Sequence, residues 1–279
     1  MDMQFTALFF GLASALIWGA GDFCGGLASR RASVLSVLML AELSGLGLLV
    51  VFGLMFQEAF PTVAGTLWGI AAGLSGTLGL GALYRGLATG RASIVAPVSA
   101  VVSSAIPALF SAFTIGLPDE LKLVGFALAL VAIVLASQSA SESGGSRALH
   151  YAILAGIGFG AFFIFIDTAG GEGSTFYPLA IARGISIPVL LVLIFARGVA
   201  MPARNVLPII LLSGILDASG NVFFLLSSTL GRLDVATILS SLYPASTVIL
   251  SRIILHERIS RVQQLGVILA LVAIVLIAV

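Results

Sequence analysis

Five ionisable side chains stand inside long apolar runs: Asp22, Glu42, Asp167, Arg183 and Asp217. A charge at that depth in lipid is costly, so such residues face a cavity or a partner and mark substrate or proton paths. Asp217 is the first candidate for a substrate or proton site. It falls near the middle of its run, and Asn221, four residues on, shares its helical face. Asp22 is the second. Trp18 precedes it by one turn, and an indole beside a carboxylate suits a cationic or aromatic ligand. Glu42 and Tyr243 complete the candidate binding set. The depths along the runs suggest ion pairs of Asp167 with Arg183 near one membrane face, and of Glu42 or Asp22 with Arg85 near the other. A direct pair between Glu42 and Arg183 is not expected, because they sit at opposite depths.

Those residues need apolar elements to hold them. Charged residues are 9% of the 279, hydrophobic ones 59%, and the mean hydropathy is +1.19. A soluble domain carries about 25% charged residues. So few charges cannot cover a water-soluble fold of this length, and the chain must be solvated by lipid. Ten runs approach the ~20 residues of a spanning helix: Phe5–Leu27, Val34–Phe56, Ala64–Tyr84, Ser93–Gly116, Leu121–Gln138, Leu149–Gly170, Phe176–Ala196, Val206–Ser228, Val235–Leu255 and Val262–Val279. The expected fold is an all-α polytopic membrane protein. The first run lacks a basic leader and is not read as a cleavable signal. Pro107 and Pro244 interrupt runs four and nine and are expected to kink those helices beside the cavity. Gly69, Gly73 and Gly76, and likewise Gly156 and Gly160, form small-residue faces for close packing.

The chain repeats itself. Leu128–Leu135 and Leu269–Leu276 both read LALVAIVL, 141 positions apart, and the same offset superposes Gly125 on Gly266 and Gly90-Arg91 on Gly231-Arg232. Five spans per unit is odd, so the second unit must enter the membrane from the opposite side. The expected architecture is therefore ten transmembrane helices as two inverted five-helix repeats, 1–138 and 149–279, around a central cavity, joined by a polar linker, 139–148. Inverted repeats hold substrate near the midplane between them. Let side B carry the loops between spans 1–2, 3–4, 5–6, 7–8 and 9–10, and side A both termini. Ten arginines from Arg30 to Arg261 fall on side B, against Lys122 and Arg232 on side A. The positive-inside rule then puts side B in the cytoplasm and both termini outside.

The run Tyr243-Pro244, an apolar stretch, Glu257-Arg258, Gly266 and a second apolar stretch resembles the signature of the EamA domain, of the ten-helix branch of the drug/metabolite transporter superfamily. Trp18-Gly19 matches the Trp-Gly that often opens such a domain. The resemblance covers almost the whole chain as two EamA-like halves. It implies a secondary transporter, an exporter of small metabolites, in a bacterial inner membrane. It also implies cytoplasmic termini, which the arginines contradict. In the family the second span of each half often carries an arginine; Arg183 matches that habit and Glu42 breaks it.

Other chemistries find no support in the residues. Lys122 has no glycine-rich lead, so there is no ATP-binding loop. His150 and His256 lack metal-ligand spacing, and Cys24 is alone, so neither a metal nor another cofactor is expected. No basic patch points to nucleic acid. The expected partners are a small-molecule substrate, the bilayer and a coupled proton. The acids outnumber Arg183 in the membrane, which favours a substrate such as an amino acid or organic cation. The alternative is a polytopic membrane enzyme or lipid-handling protein working where Asp22, Glu42 and Arg85 gather at side B.

Overall fold

In lipid every backbone N–H and C=O must be satisfied within the chain, which leaves long apolar segments the helix. A computed structural model describes residues 3–89, 91–114, 120–137, 145–170, 174–230, 239–240, 242–256 and 260–278. They form α1 (Met3–Ala28), α2 (Val34–Met55), α3 (Val63–Ala88), α4 (Ala92–Thr114), α5 (Glu120–Ser137), α6 (Gly145–Gly170), α7 (Phe176–Ala196), α8 (Leu207–Leu230), α9 (Tyr243–Ile254) and α10 (Arg261–Ala278). Six of the described helices, α1, α2, α3, α6, α7 and α8, are long and apolar enough to cross a membrane, and shorter apolar stretches lie in α4 and α10. Glu172, Gly231-Arg232, residues 235–238, Glu257-Arg258 and most of the linker, 139–144, lie outside the described residues.

The six long helices make the centre. α1 packs along α8, and α3 along α6. Between those pairs α2 lies against α7 and α8, and α3 also meets α7. α4 leans on α6, α9 leans on α1, and α5 pairs with α10. The outward faces stay apolar: Leu54, Leu78, Val192 and Phe195 are all exposed. Such a surface is a liability in water and suits acyl chains. The apolar helices make this an integral membrane protein.

Two close approaches position the centre. Gly73 of α3 lies against the backbone of Ala182 in α7, and Gly214 of α8 lies against the backbone of Ala41 in α2. A Cβ at either glycine would overlap a carbonyl, so only glycine permits the crossing. The two contacts are related by one offset, since Gly214 follows Gly73, and Ala182 follows Ala41, by 141 positions. Ser44 Oγ extends the second crossing by donating to Leu211 O at 3.1 Å. Ser186 Oγ extends the first by donating to Gly73 O at 3.2 Å.

Residues at the ends explain where helices start. Thr62 caps α3, its Oγ1 accepting from Gly65 N at 3.2 Å. α7 is capped from a distance: the Glu58 carboxylate, in the α2–α3 loop, accepts the N–H groups of Thr175, Phe176 and Tyr177. A carboxylate on the free N–H groups of a helix start is favourable in both charge and hydrogen bonding.

One expectation about proline needs correction. Pro107 does lie inside α4. Pro244 occupies the first turn of α9, with Leu242 as the capping residue, and not the interior of that described helix. Proline is tolerated there because a first-turn N–H has no intrahelical partner to lose.

Candidate substrate cavity

Six sequence candidates come from four helices. α1 carries Trp18 and Asp22, α2 carries Glu42, α8 carries Asp217 and Asn221, and α9 opens with Tyr243. All six line one cavity, together with Arg183 of α7. It holds about 700 Å³ of atom-free space, including its open mouth.

Arg183 organises the polar wall. Its Nη1 lies 3.0 Å from Glu42 Oε2, and its Nη2 pairs with Asp217 Oδ2. Asn221 Nδ2 donates to Asp217 O at 2.8 Å and reaches Asp217 Oδ2 at 3.4 Å. One guanidinium thus bridges two carboxylates from two other helices.

This arrangement corrects the expected pairing. Arg183 meets Glu42 and Asp217, not Asp167, which is exposed near the end of α6. Asp217 therefore has a basic partner. Side-chain length closes the difference in depth. At 1.5 Å per residue, Glu42 lies about 12 Å into α2 and Arg183 about 10 Å into α7 from the opposite face. In a helix of about 33 Å the remaining gap of about 10 Å is within the joint reach of an arginine and a glutamate. Arg85 is exposed and does not line the cavity, so it does not gather with Asp22 and Glu42.

Asp22 differs from the other two acids. It is buried to 6% exposure and faces the cavity, yet no hydrogen bond or ion pair to it forms among the described residues. A buried acid normally has a partner. Trp18, Phe163 and Tyr243 line the same cavity. Trp18 meets Tyr243 edge-on with centroids 6.4 Å apart, leans on Phe163 at 6.1 Å and stacks on Phe224 at 5.8 Å. The Tyr243 hydroxyl is held by Ser99 Oγ at 3.1 Å.

The sequence reading missed the rest of the wall. Phe159, Phe162 and Phe163 of α6 form its apolar side, and Thr77 of α3 and Ser186 of α7 form a hydroxyl pair within it. A signal for Phe159 existed, because it stands 141 positions after Trp18. Ser and Thr are too common in membrane helices for their spacing to flag a site.

No match is found among curated proteins. A solved structure described only as "Crystal structure of protein" aligns over 98% of this chain and 97% of its own, with a TM-score of 0.62 and 14% identity. At that identity the likeness speaks for the fold alone. The EamA-like transporter family model matches residues 146–279, which begin at the start of α6 and end with the chain. That family is one of membrane transporters, not of enzymes. The matched residues 146–279, which resemble the EamA-like transporter family, supply Arg183, Asp217, Asn221 and Tyr243 to the cavity.

Proposed function

We propose that this protein is a secondary transporter that exports a small cationic or zwitterionic metabolite, such as an amino acid or organic cation, through this cavity by alternating access. The observation that carries the reading is the charge balance. Three carboxyl groups face the cavity against one guanidinium, and two of them are already held by Arg183. Asp22 is the acid left over, and aromatic rings beside it favour a cation. The cationic group and a proton compete for the same carboxylate, so outward movement of one is exchanged for inward movement of the other. Asp217, the first candidate from the sequence, serves on this reading to hold Arg183.

The two halves, 1–138 and 149–279 with their linker 139–148, are read as inverted repeats. The offset of 141 found in the sequence also relates the Gly73–Ala182 and Gly214–Ala41 contacts. It exchanges the α1–α8 packing with the α6–α3 packing. Glu42 and Arg183 are equivalent positions that touch each other. Equivalent residues meet only on the axis relating the halves, and for inverted repeats that axis lies in the membrane plane. The arginine bias further argues for a bacterial inner membrane with side B cytoplasmic and both termini outside.

The test uses sealed inside-out vesicles containing the protein and a mixture of labelled amino acids and organic amines. Accumulation of an unchanged compound under an imposed pH gradient is expected. A compound recovered in chemically altered form would favour a membrane enzyme instead.

A further inference from the structure

α1 and α3 meet at the side-B end of the cavity, in a contact that has no counterpart on side A among the described residues. α3 continues past cavity-lining Leu80 by one turn to Tyr84, and α1 continues past Asp22 by three residues to Gly25. The Tyr84 ring is fully buried and seats directly on Gly25, where any side chain would overlap it. One turn further, Leu87 lies against Gly26, and Arg30 Nη2 donates to Leu87 O at 3.5 Å. Ile94, Val95, Val37 and Leu38 fill the space around this contact and are themselves buried. α1 and α3 thus close together just beyond the cavity.

The equivalent contact would join α6 and α8. Tyr84 corresponds to Leu225 and Gly25 to Ile166, each 141 positions on. Among the described residues α6 and α8 do not pack on one another as α1 and α3 do. The halves therefore differ at this pair of helices while agreeing at their glycine crossings. The Tyr84 hydroxyl adds a second observation. It is buried close to Ser213 Oγ of α8, which itself donates to Ile210 O at 2.8 Å.

We propose that the Tyr84 ring seated on Gly25 is the side-B gate of the cavity, and that its opening is the step that exposes Asp22 to side B. This rests on the transporter reading and on the inverted relation of the halves. The ring supplies the barrier and Gly25 supplies the seat. Such a gate needs only a modest difference between two states to respond to a bound ligand.

The experiment reads the gate without any transported compound. In a Cys24→Ser background, Thr77→Cys places a thiol in the cavity wall. Its labelling by a membrane-impermeant maleimide is timed from each face, in sealed vesicles of both orientations. The parent is expected to label faster from side A. Tyr84→Ala and Gly25→Ala are each expected to raise the side-B rate by about ten-fold or more, with the side-A rate unchanged. Tyr84→Phe, which keeps the ring and removes only the hydroxyl, is expected to label from side B no faster than the parent. An unchanged side-B rate in Tyr84→Ala overturns the gate, and so does an equal rise from both faces, which would mean general loosening. Uptake of the labelled mixture by the same vesicles is scored separately, so a failed gate and a failed transporter reading give different results.

Discussion

Replacing Arg183 with Met should be the most damaging single change in the cavity wall. The guanidinium is 7% exposed at the side chain, Glu42 8% and Asp217 17%, so none of the three charges is well hydrated. With an effective dielectric near 20, unit charges 3.0 Å apart attract by about 5–6 kcal/mol. Desolvation offsets much of that while the pair is intact, and removing one partner leaves the other's desolvation uncompensated. Breaking a buried pair in this way costs about 3–5 kcal/mol. The two pairs do not add, because one guanidinium serves both. At about 2–4 °C per kcal/mol, Arg183→Met should lower the unfolding midpoint in detergent by roughly 6–20 °C. Glu42→Gln and Asp217→Asn should each cost less, since the other carboxylate keeps Arg183 paired. The triple variant Glu42→Gln, Arg183→Met, Asp217→Asn should recover much of the loss, because no charge remains unpaired. If the triple variant is less stable than Arg183→Met alone, the three residues are not one charge cluster and the reasoning fails.

Other expected outcomes follow from the same structure. Glu58→Ala removes the acceptor for three N–H groups at the start of α7 and should cost about 1–2 kcal/mol in a denaturant titration, with Glu58→Gln costing less. Gly73→Val and Gly214→Val each force a side chain into a helix crossing and should cost about 1–3 kcal/mol, by similar amounts. A large loss at one position and none at the other, in thermal unfolding, would count against equivalent halves. A reporter fused after Val279 should be active only in its periplasmic form; a cytoplasmic C-terminus would reverse the orientation and leave the repeat in place.

Most of the helices were legible because lipid allows an apolar run few other structures. α7 was expected at Phe176–Ala196 and spans those residues. The described helix α9 begins at Tyr243, because Pro244 fits a first turn better than an interior position. The cavity residues were legible one at a time, since acids and an arginine within apolar runs need a common polar space. Their pairing was not legible. Periodicity and rise fix where a Cα lies, while the Glu42–Arg183 contact depends on two long side chains extending toward each other. The Tyr84–Gly25 contact was hidden for a related reason. Tyr84 at the end of a run reads as an interfacial anchor until helix packing buries it.

The central claim is that Asp22 takes the exchanged cation while Asp217 holds Arg183. The most direct measurement compares gradient-driven uptake of the labelled mixture into inside-out vesicles by the parent, Asp22→Asn and Asp217→Asn, normalised to folded protein. Asp22→Asn keeps the side chain's size but cannot release a proton or bind a cation by charge. It should abolish accumulation driven by the pH gradient at unchanged stability. Asp217→Asn should lower stability and retain gradient-driven accumulation per folded molecule. Undiminished accumulation in Asp22→Asn, together with its loss in stable Asp217→Asn, would contradict the account and return the exchange site to Asp217.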